Sequence, residues 1–597
     1  MSAGMNIDSA LREEIQKATT VLFNQTIESF QVQPTNPEFE GSHTLVCFPL
    51  TRISRKGPEE TARLVGDYLL ANSRLVSSFN VVKGFLNLSI ADRVWVEVLQ
   101  GVVNDTRYGV SARSGKEVMV EYSSPNTNKP LHLGHLRNNF LGYAVAGIYE
   151  AVGYTVHKVQ IINDRGIHIC KSMAAWQLSG ENETPESSGL KGDHLVGKYY
   201  VEFDKRYKAE MKQLVDQGMP EAEAEKQAPV MLHAVDLLRK WENKDADTVA
   251  LWKKMNGWVY DGFAATYKRM GVDFEKLYYE SATYLLGRDE VLKGVEQGIF
   301  FRKEDGSVWV DLTADGLDQK VLLRADGTSV YMTQDIGTAI LRFRDFPKIE
   351  GQVYTVGNEQ EYHFKVLFLI LKKLGYAWAE KCFHLSYGMV DLPTGKMKSR
   401  EGTVVDADDL MAEMVAEAEK QTRELGKIED ASEEQVRELS EMIGLGALKY
   451  FLLKVDPKKR MLFDPNESIQ LQGHTGPFIQ YTHARIRALL RKAESMGLAS
   501  AGWSGLETLD ASEREVIALL TAYPQKLREA AAGYSPAVVA NYVYELAKSY
   551  NQFYQTIPIF QETDGARRDF RLALSRAVAD VIKKGMRVLG IAVPERM

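Results

Sequence analysis

Cysteine is scarce in this 597-residue chain, and the three cysteines present are far apart. Cys47, Cys170 and Cys382 form no Cys-x-x-Cys pair. This spacing argues against both a disulfide framework and a structural zinc site. We therefore expect a protein of the reducing cytoplasm that needs no tightly bound metal.

Long apolar runs are also missing, since no stretch approaches the 18 residues that a membrane-spanning helix requires. The first residues are polar and acidic, with Asp8, Glu13 and Glu14 where a secretory leader has a basic and then an apolar segment. We expect neither secretion nor a membrane partner.

An excess of positive charge is absent as well. Lys and Arg number 73 against 80 Asp and Glu, which gives a formal net charge of −7. This balance argues against a protein that coats nucleic acid nonspecifically, and we expect no DNA partner. A negative net charge is still compatible with a local basic surface that binds a nucleic acid. Three basic clusters, each typical by itself of a solvated surface, are Lys454, Lys458, Lys459 and Arg460; Arg485, Arg487, Arg491 and Lys492; and Arg567, Arg568 and Arg571.

Length and apolar content are what the chain does have. Single cores rarely grow beyond about 250–300 residues, so a chain of this length is expected to form several domains. Its 45% hydrophobic residues are enough to fill their cores.

The segment 121–139 contains two histidines three residues apart, around a glycine. Residues 118–120 are typical of a buried parallel strand, and apolar residues recur at helical spacing from 134 to about 149. A helix N-terminus offers free N–H groups and a positive dipole end to phosphate oxygens. We therefore predict a nucleotide-phosphate site, suited to ATP, at His132 and His135. On spacing alone, an equally good interpretation is a pair of loop histidines that cap and pack.

The flanking residues favour the first interpretation. The signature His-Ile-Gly-His of class I aminoacyl-tRNA synthetases is represented by His-Leu-Gly-His at 132–135. Asn126, Lys129 and Pro130 precede it, and Arg-Asn follows at 137–138. Together these residues resemble arginyl-tRNA synthetase, and the resemblance extends over nearly the whole chain.

The resemblance implies an α/β fold: a class I synthetase Rossmann-like doubly wound catalytic domain, with an N-terminal α+β domain and a C-terminal all-α helical bundle. The alternation of predicted strands and helices after residue 116 also favours a doubly wound sheet. The expected domains are 1–112, which binds tRNA, 113–465, which is catalytic, and 466–597, which binds the anticodon. A charged helical insertion at about 180–278 and a signature loop at 396–402 are expected within the catalytic domain.

Two patterns predict local structure near Asp335. Lys320–Arg324 and Val330–Thr333 flank the turn 325–328, and this predicts a β-hairpin because its Asp-Gly readily adopts positive φ. Residues from Ile336 onward are typical of a helix, so one structural role for Asp335 is that of its N-cap.

The second class I signature, Lys-Met-Ser-Lys-Ser, is represented by Lys-Met-Lys-Ser-Arg at 396–400. The second lysine is missing, and the resemblance implies that Lys129 supplies its charge, with Lys398 and Arg400 as alternatives. Activation expels pyrophosphate, so the leaving group must be neutralised. The implied catalytic residues are His132, His135, Lys129 and Lys396. The implied ATP site consists of His132, Gly134, His135, His363, Met389, Val390, Lys396, Lys398, Ser399 and Arg400, although His363 also suits a structural role.

A substrate guanidinium is always charged and presents a planar fork of donors, so its pocket requires carboxylates. The run Tyr-Met-Thr-Gln-Asp at 331–335 resembles the family's Tyr-Leu-Thr-Arg-Asp. The resemblance places Tyr331, Asp335 and Gln360 around the arginine side chain. It places Glu121, Ser124, Asn126 and His135 around the amino and carboxylate groups of the substrate.

Three residues are implied as tRNA contacts. Phe85 and Asn87 lie in a strand that resembles the Gly-Phe-Ile-Asn strand of the N-terminal domain, and Phe85 equally suits a core position. Arg485 follows a run that resembles the entry to the anticodon-binding domain. Arg165 and His168 depart from the family pattern Asp-Trp-Gly followed by glutamine, so their roles stay open.

We therefore expect an arginine–tRNA ligase that forms arginyl-adenylate from L-arginine and Mg–ATP and then esterifies tRNA. A monomer is expected. Two alternatives are a tRNA-independent nucleotidylyltransferase and a non-catalytic tRNA-binding paralogue. The long helical C-terminal region counts against the first, and the signature residues count against the second.

Overall fold

The computed structural model describes residues 6–36, 38–393, 405–424, 431–498, 502–503 and 506–597. The N-terminal region consists of α1 (Ile7–Phe23), β1 (Val32–Pro34), β2 (His43–Val46), α2 (Thr51–Ser54), α3 (Pro58–Asn72), β3 (Val76–Val82), β4 (Phe85–Ile90) and α4 (Asp92–Asn104). Its four strands form an antiparallel sheet in the order β1-β2-β4-β3. Helix α1 buries Leu11, Ile15 and Ala18, the apolar stripe that the sequence presents at helical spacing.

The catalytic region begins with β5 (Glu117–Glu121), α5 (Leu133–Ala151), β6 (Thr155–Ile162) and α6 (Ile167–Ser179). The insertion follows with α7 (Pro185–Ser188), α8 (Gly192–Asp216), α9 (Glu221–Gln227), α10 (Pro229–Glu242) and α11 (Ala246–Met270). It is helical, as the sequence predicts.

The chain then forms β7 (Lys276–Tyr279), α12 (Glu280–Thr283), α13 (Arg288–Glu296), β8 (Phe301–Arg302), β9 (Val308–Val310), β10 (Lys320–Leu323) and α14 (Tyr331–Asp345). Next are β11 (Ile349–Gly357), α15 (Glu361–Lys373), β12 (Cys382–Tyr387), β13 (Val390–Asp391) and α16 (Ala407–Glu424). The remaining elements are α17 (Glu433–Leu453), β14 (Met461–Leu462), α18 (Pro465–Ser468), α19 (Gly476–Ser495), α20 (Ala511–Ala532), α21 (Pro536–Thr556) and α22 (Gly565–Val588).

The central sheet is parallel, with strand order β12-β11-β5-β6-β7. The chain moves outward from β5 in one direction through β6 and β7, and in the other through β11 and β12. The order therefore reverses between β5 and β11, as in a doubly wound fold, and ligands of such sheets bind at the carboxyl ends of the strands at this point.

Helix α5 is buried along most of its circumference, which is typical of a helix at the centre of a large core. Gly147 lies so close to the C-terminal helices that a Cβ there would meet the Val588 carbonyl oxygen at 2.6 Å. The helix that begins at the two histidines thus packs directly against the end of the chain.

The predicted hairpin after β10 is wrong in its second arm. The turn forms, with Gly327 at φ 80° and the N–H of Arg324 bonded to the Thr328 carbonyl at 2.9 Å. However, Val330 is an N-cap and α14 starts at Tyr331, while β10 pairs with β9. Met332, Ile336 and Ala339 are buried on one face of α14, so core packing at helical spacing outweighs the β-propensity of 330–333.

Candidate active site

The carboxyl edge of the parallel sheet contains the residues predicted to perform chemistry. The loop after β5 leads into α5, and a 3₁₀ turn, Asn358–Gln360, connects β11 to α15. The histidines follow β5, and Gln360 and His363 follow β11. The two groups therefore come from the strands on either side of the reversal.

His132 is the N-cap of α5 and takes part in a reciprocal cap with His135. The N–H of Gly134 donates to His132 Nδ1 at 3.1 Å, and the N–H of His132 donates to His135 Nδ1 at 3.1 Å. The capping interpretation is therefore observed. It is compatible with phosphate binding, because an imidazole whose Nδ1 accepts keeps its proton on Nε2 and donates from there.

At this end of α5 the hydrogen-bond donors are uncharged, and the positive charge is on a separate residue. Burial, with a smaller contribution from the charge of Lys129, lowers the pKa of His132 to about 4. Burial also holds the pKa of His135 well below its usual range. Both imidazoles are thus neutral N–H donors at pH 7. Lys129 supplies the positive charge, although burial lowers its pKa too.

Glu121 lies behind the edge of the sheet and already has partners. It is 4% exposed, accepts a hydrogen bond from Arg342 Nη1, and lies 3.4 Å from the amide nitrogen of Gln352. Burial raises the pKa of Glu121, and the guanidinium of Arg342 opposes that rise. Direct contact of Glu121 with the substrate's amino group stays a prediction, and in the structure this carboxylate pairs with Arg342.

Ser124 and Asn126 lie on the loop that crosses the edge of the sheet. Ser123 precedes them in the left-handed region at φ 64° and is held by a 2.6 Å hydrogen bond from its N–H to Asn138 Oδ1. The amide of Asn163 donates to the Ser124 carbonyl at 3.2 Å, and Asn126 pairs with Asn163 in a parallel bridge. Asn126 is exposed and Ser124 is partly exposed, so both can meet a ligand.

Asp335 lies in the second turn of α14, so its predicted role as a helix N-cap is wrong. Its Oδ2 is 2.5 Å from Nε2 of His363, which the sequence assigns to ATP. The side chain of Asp335 is 41% exposed, and Tyr331 on the same helix is 76% exposed. Gln360 is exposed one residue before α15. His363 is thus a partner of the predicted arginine-binding carboxylate.

Glu280, which the sequence analysis missed, adds a second carboxylate to this region. It directly follows β7, at the same carboxyl edge. Burial raises its pKa to about 7, with Asp164 and Asp335 adding to the rise and Arg165 opposing it. The signal available in the sequence is an acidic residue at the end of the insertion, directly after the strand that forms one edge of the parallel sheet.

Comparison with known proteins decides the family. Residues 97–464 match the family described as tRNA synthetases class I (R), catalytic domain, and residues 479–597 match the DALR anticodon binding domain. The chain belongs to the arginyl-tRNA synthetase family. It is 54% identical to the arginine–tRNA ligase of Flavobacterium psychrophilum, over 99% of this chain and all of that protein.

Other members of the family agree over the full length. The arginine–tRNA ligase of Porphyromonas gingivalis is 56% identical over 95% of each chain. The solved arginyl-tRNA synthetase of Thermus thermophilus has 25% identity and a TM-score of 0.78, covering 99% of this chain and 100% of the other. The family's fold class, with a helical C-terminal domain, therefore holds for this chain as the sequence predicts.

The whole run 396–400 that represents the family's second signature lies outside the described residues. Lys396, Lys398, Ser399 and Arg400 all fall in the range 394–404. Before that range, the side chain of Met389 is 40% exposed. Val390 is 3% exposed in β13, where it pairs with Met461, so only its backbone is available to a nucleotide.

The two departures from the family pattern have local partners. The guanidinium of Arg165 lies 3.9 Å from the ring centre of Tyr284 and 5.5 Å from that of Trp241, so it stacks where the family has an indole. Nδ1 of His168 is 3.2 Å from the hydroxyl of Tyr200. Burial lowers the pKa of His168, and the charges of Lys171 and Lys129 lower it further.

The predicted tRNA contacts differ in accessibility. Phe85 is partly exposed and packs edge-on against Phe48, with ring centres 5.5 Å apart. Asn87 is 2% exposed, accepts from Thr44 Oγ1 at 2.6 Å and donates to Asn80 at 2.8 Å. Asn87 therefore supports the sheet from within, and its contact with tRNA stays a prediction.

Arg485 lies on α19 of the anticodon-binding domain. It donates to Asn551 Oδ1 at 2.9 Å, and its guanidinium is 4.7 Å from the ring centre of Tyr481 and 5.8 Å from that of Tyr554. Tyr554 is 36% exposed. An aromatic and cationic surface of this kind suits unstacked bases.

One group of side chains has the composition of a metal site. The ligand atoms of Asp193, His194 and Asp408 all lie within 4.8 Å of one another. The ammonium of Lys191 is 3.2 Å from Asp193 Oδ2 and donates to Asp408 Oδ2. The chain's own lysine therefore supplies the cation that these carboxylates require.

Among the described residues, no helix is long and apolar enough to cross a membrane.

Proposed function

We propose that this member of the family joins L-arginine to its tRNA at the carboxyl edge of the parallel sheet. In the first step, a carboxylate oxygen of arginine bonds to the α-phosphorus of Mg–ATP as the bond to pyrophosphate breaks. In the second, the 2′-hydroxyl oxygen of the terminal adenosine bonds to the activated carbonyl carbon, and AMP leaves. The observation that supports this most is that the histidine donors follow β5 and that His363, the partner of the exposed carboxylate of Asp335, follows β11, so that they come from the two strands that flank the reversal.

His132, His135 and Lys129 bind the phosphates. The Nε2–H groups donate to phosphate oxygens, and the Lys129 ammonium offsets charge that develops on the leaving pyrophosphate. Gly134 and the first N–H groups of α5 allow a phosphate to approach closely. Mg²⁺ arrives with ATP as part of the substrate and adds further neutralisation. The second signature, Lys396 to Arg400, completes the site, with the backbone at Met389 and Val390 beneath the base.

Arginine binds in the neighbouring pocket. Asp335 and Glu280 face its guanidinium, Tyr331 and Gln360 supply further polar contacts, and Ser124 and Asn126 hold its amino and carboxylate groups. His363 donates to one oxygen of Asp335 and leaves the other oxygen for the substrate. A bound neutral isostere would cover these carboxylates and leave them unpaired, and a site of this kind rejects such an isostere by roughly 10⁴-fold or more.

The tRNA binds through Phe85 and Arg485, and its presence is required for arginine activation, as the family relation implies. The protein acts as a monomer in the cytoplasm. Three free cysteines, of which Cys47 and Cys170 are buried, support a reducing compartment.

Arginine-dependent ATP–pyrophosphate exchange, measured with and without tRNA, tests the proposal. We expect exchange only when arginine and tRNA are both present. Exchange without arginine would identify a nucleotidylyltransferase, and no exchange under any condition would identify a non-catalytic tRNA-binding protein. Either result overturns the proposed function.

A pair of variants links the activity to the predicted phosphate site. His135→Asn removes one Nε2–H donor and should lower the exchange rate by roughly 10²–10³-fold, as loss of one preorganised donor does elsewhere. The matched control is His233→Asn on the insertion, where the imidazole contacts Gln177 at 2.8 Å, and it should retain the wild-type rate.

A further inference from the structure

A network of charged side chains joins the insertion to the segment that follows the range 394–404. From α8, Nε2 of His194 lies 3.2 Å from Asp408 Oδ2 and 3.3 Å from Asp406 Oδ2. Lys191, just before α8, donates to Asp408 Oδ2. From α11, the hydroxyl of Thr266 donates to Asp408 Oδ1 at 3.1 Å. Three separate parts of the chain therefore meet at Asp408.

The side chains of this network are largely shielded from solvent. The side chain of Asp193 is fully buried, and those of Asp406, Asp408 and Lys191 are 15%, 23% and 26% exposed. Burial raises the pKa of Asp408, but hydrogen bonds from His194 and Lys191 outweigh it and bring the pKa to about 2. Asp408 is thus ionised at neutral pH, and its charge has defined partners.

The same segment is joined to the phosphate site through the backbone. The N–H of Leu133 donates to the Val405 carbonyl at 3.1 Å, and the N–H of Ala407 donates to the Leu131 carbonyl at 2.9 Å. His132 and Asp406 face each other in this antiparallel bridge. A displacement of Asp406 would therefore move the backbone of the residue that caps α5.

We propose that Lys191, His194 and Asp408 form a positioning cluster, through which the insertion fixes residues 405–408 against Leu131–Leu133 and so holds His132 in place for the ATP phosphates. In this proposal the three residues act through His132 and not by contact with substrate. The inference rests on the proposed role of His132. It gives the charged insertion a part in amino-acid activation.

The variant Asp408→Asn tests the cluster because it keeps the shape of the side chain and removes its charge. Misplacing a phosphate donor by about 1 Å can cost roughly 10²-fold, so we expect kcat/KM for ATP in the exchange assay to fall roughly 10- to 100-fold, with KM for arginine changed by less than about twofold. The matched control is Asp204→Asn, on α8 of the insertion. It removes the charge from an exposed ion pair with Lys208 on the same α8, where the two charged atoms are 2.7 Å apart, and it should leave the kinetics unchanged.

A milder pair of variants guards against simple misfolding. His194→Gln and Lys191→Met each remove one partner, and in a double-mutant cycle with Asp408→Asn their effects on kcat/KM for ATP should be strongly non-additive. Additive effects, equal losses for arginine and ATP, or wild-type kinetics for Asp408→Asn would each overturn the cluster. An inactive wild-type chain would instead overturn the proposed function itself.

Discussion

Asp335 and Glu280, the two carboxyl groups of the proposed arginine pocket, have different surroundings. Asp335 has a close imidazole partner at 2.5 Å and is 41% exposed. Burial is the main cause that raises the pKa of Glu280 to about 7. The charge of Asp335 adds to this rise, and the charge of Arg165 opposes it. The first carboxylate is fixed in orientation, whereas the second is sensitive to pH.

Arginine binding should tighten as the pH rises from 6 to 8. A guanidinium favours the ionised form of Glu280, so binding lowers the pKa of that carboxyl and releases a proton in this range. KM for arginine should therefore fall with rising pH in the wild type, and Glu280→Gln should flatten the profile. If Glu280→Gln leaves the pH dependence of KM for arginine unchanged, Glu280 does not take part in arginine binding.

Asp335→Asn should weaken the use of arginine far more than the use of ATP. Losing one partner of a hydrogen-bonded charge pair costs about 2–5 kcal/mol, so kcat/KM for arginine should fall by roughly 30-fold or more. KM for ATP is the internal control. Equal losses for both substrates would show that Asp335 supports the structure of α14 and not the substrate.

His363→Asn separates the two roles assigned to His363. It keeps a donor that can reach Asp335, so it should preserve arginine use better than His363→Phe does. If His363 binds ATP instead, both variants should raise KM for ATP and spare KM for arginine.

At the scale of elements, charged residues that resemble a nucleic-acid surface in the sequence also join helices. Arg571 on α22 is 3% exposed and donates to Glu513 at 2.7 Å, to Glu562 at 2.8 Å and to Asp510 at 3.0 Å. Glu513 on α20 is fully buried. The third basic cluster is therefore in part an internal clamp between α20 and α22.

Arg571→Met should destabilise the C-terminal helices by about 3–5 kcal/mol, because it leaves the buried charge of Glu513 without its guanidinium. Urea unfolding followed by circular dichroism measures this loss. Arg528→Met, which removes an exposed guanidinium bonded to Gln525 at 2.9 Å, is the matched control. Equal midpoints for the two variants would contradict the clamp.

At the scale of the whole molecule, the ends of the chain share one hydrophobic core. A single cluster of buried residues includes Ile7 in α1 and Val593 after α22. Polar contacts reinforce it: Asp92 accepts from Arg514 and from the N–H of Leu509, both at 2.9 Å. The N-terminal region, the catalytic sheet and the C-terminal helices are therefore mechanically connected around α5.

Local physics made several features predictable. The spacing of Leu11, Ile15 and Ala18 predicts α1, and the strand at 118–120 followed by a helix predicts β5 and α5, because each pattern depends on residues a few positions apart. The cap formed by His132 and His135 is equally local. The hairpin arm at 330–333 failed because propensity is weak against the burial of Met332 and Ile336 in a core that is assembled from distant strands.

The sequence by itself determined the family and many of the local elements, and it predicts a phosphate site from two histidines that lie within one helical turn. Tertiary structure decided which charges meet. Glu121 pairs with Arg342 at a separation of 221 residues, and Lys191 pairs with Asp408 at 217. Hydrophobic periodicity sets which face of a helix or strand is buried. It does not specify which distant charged residue will pair with a given side chain, because that depends on how the elements pack together.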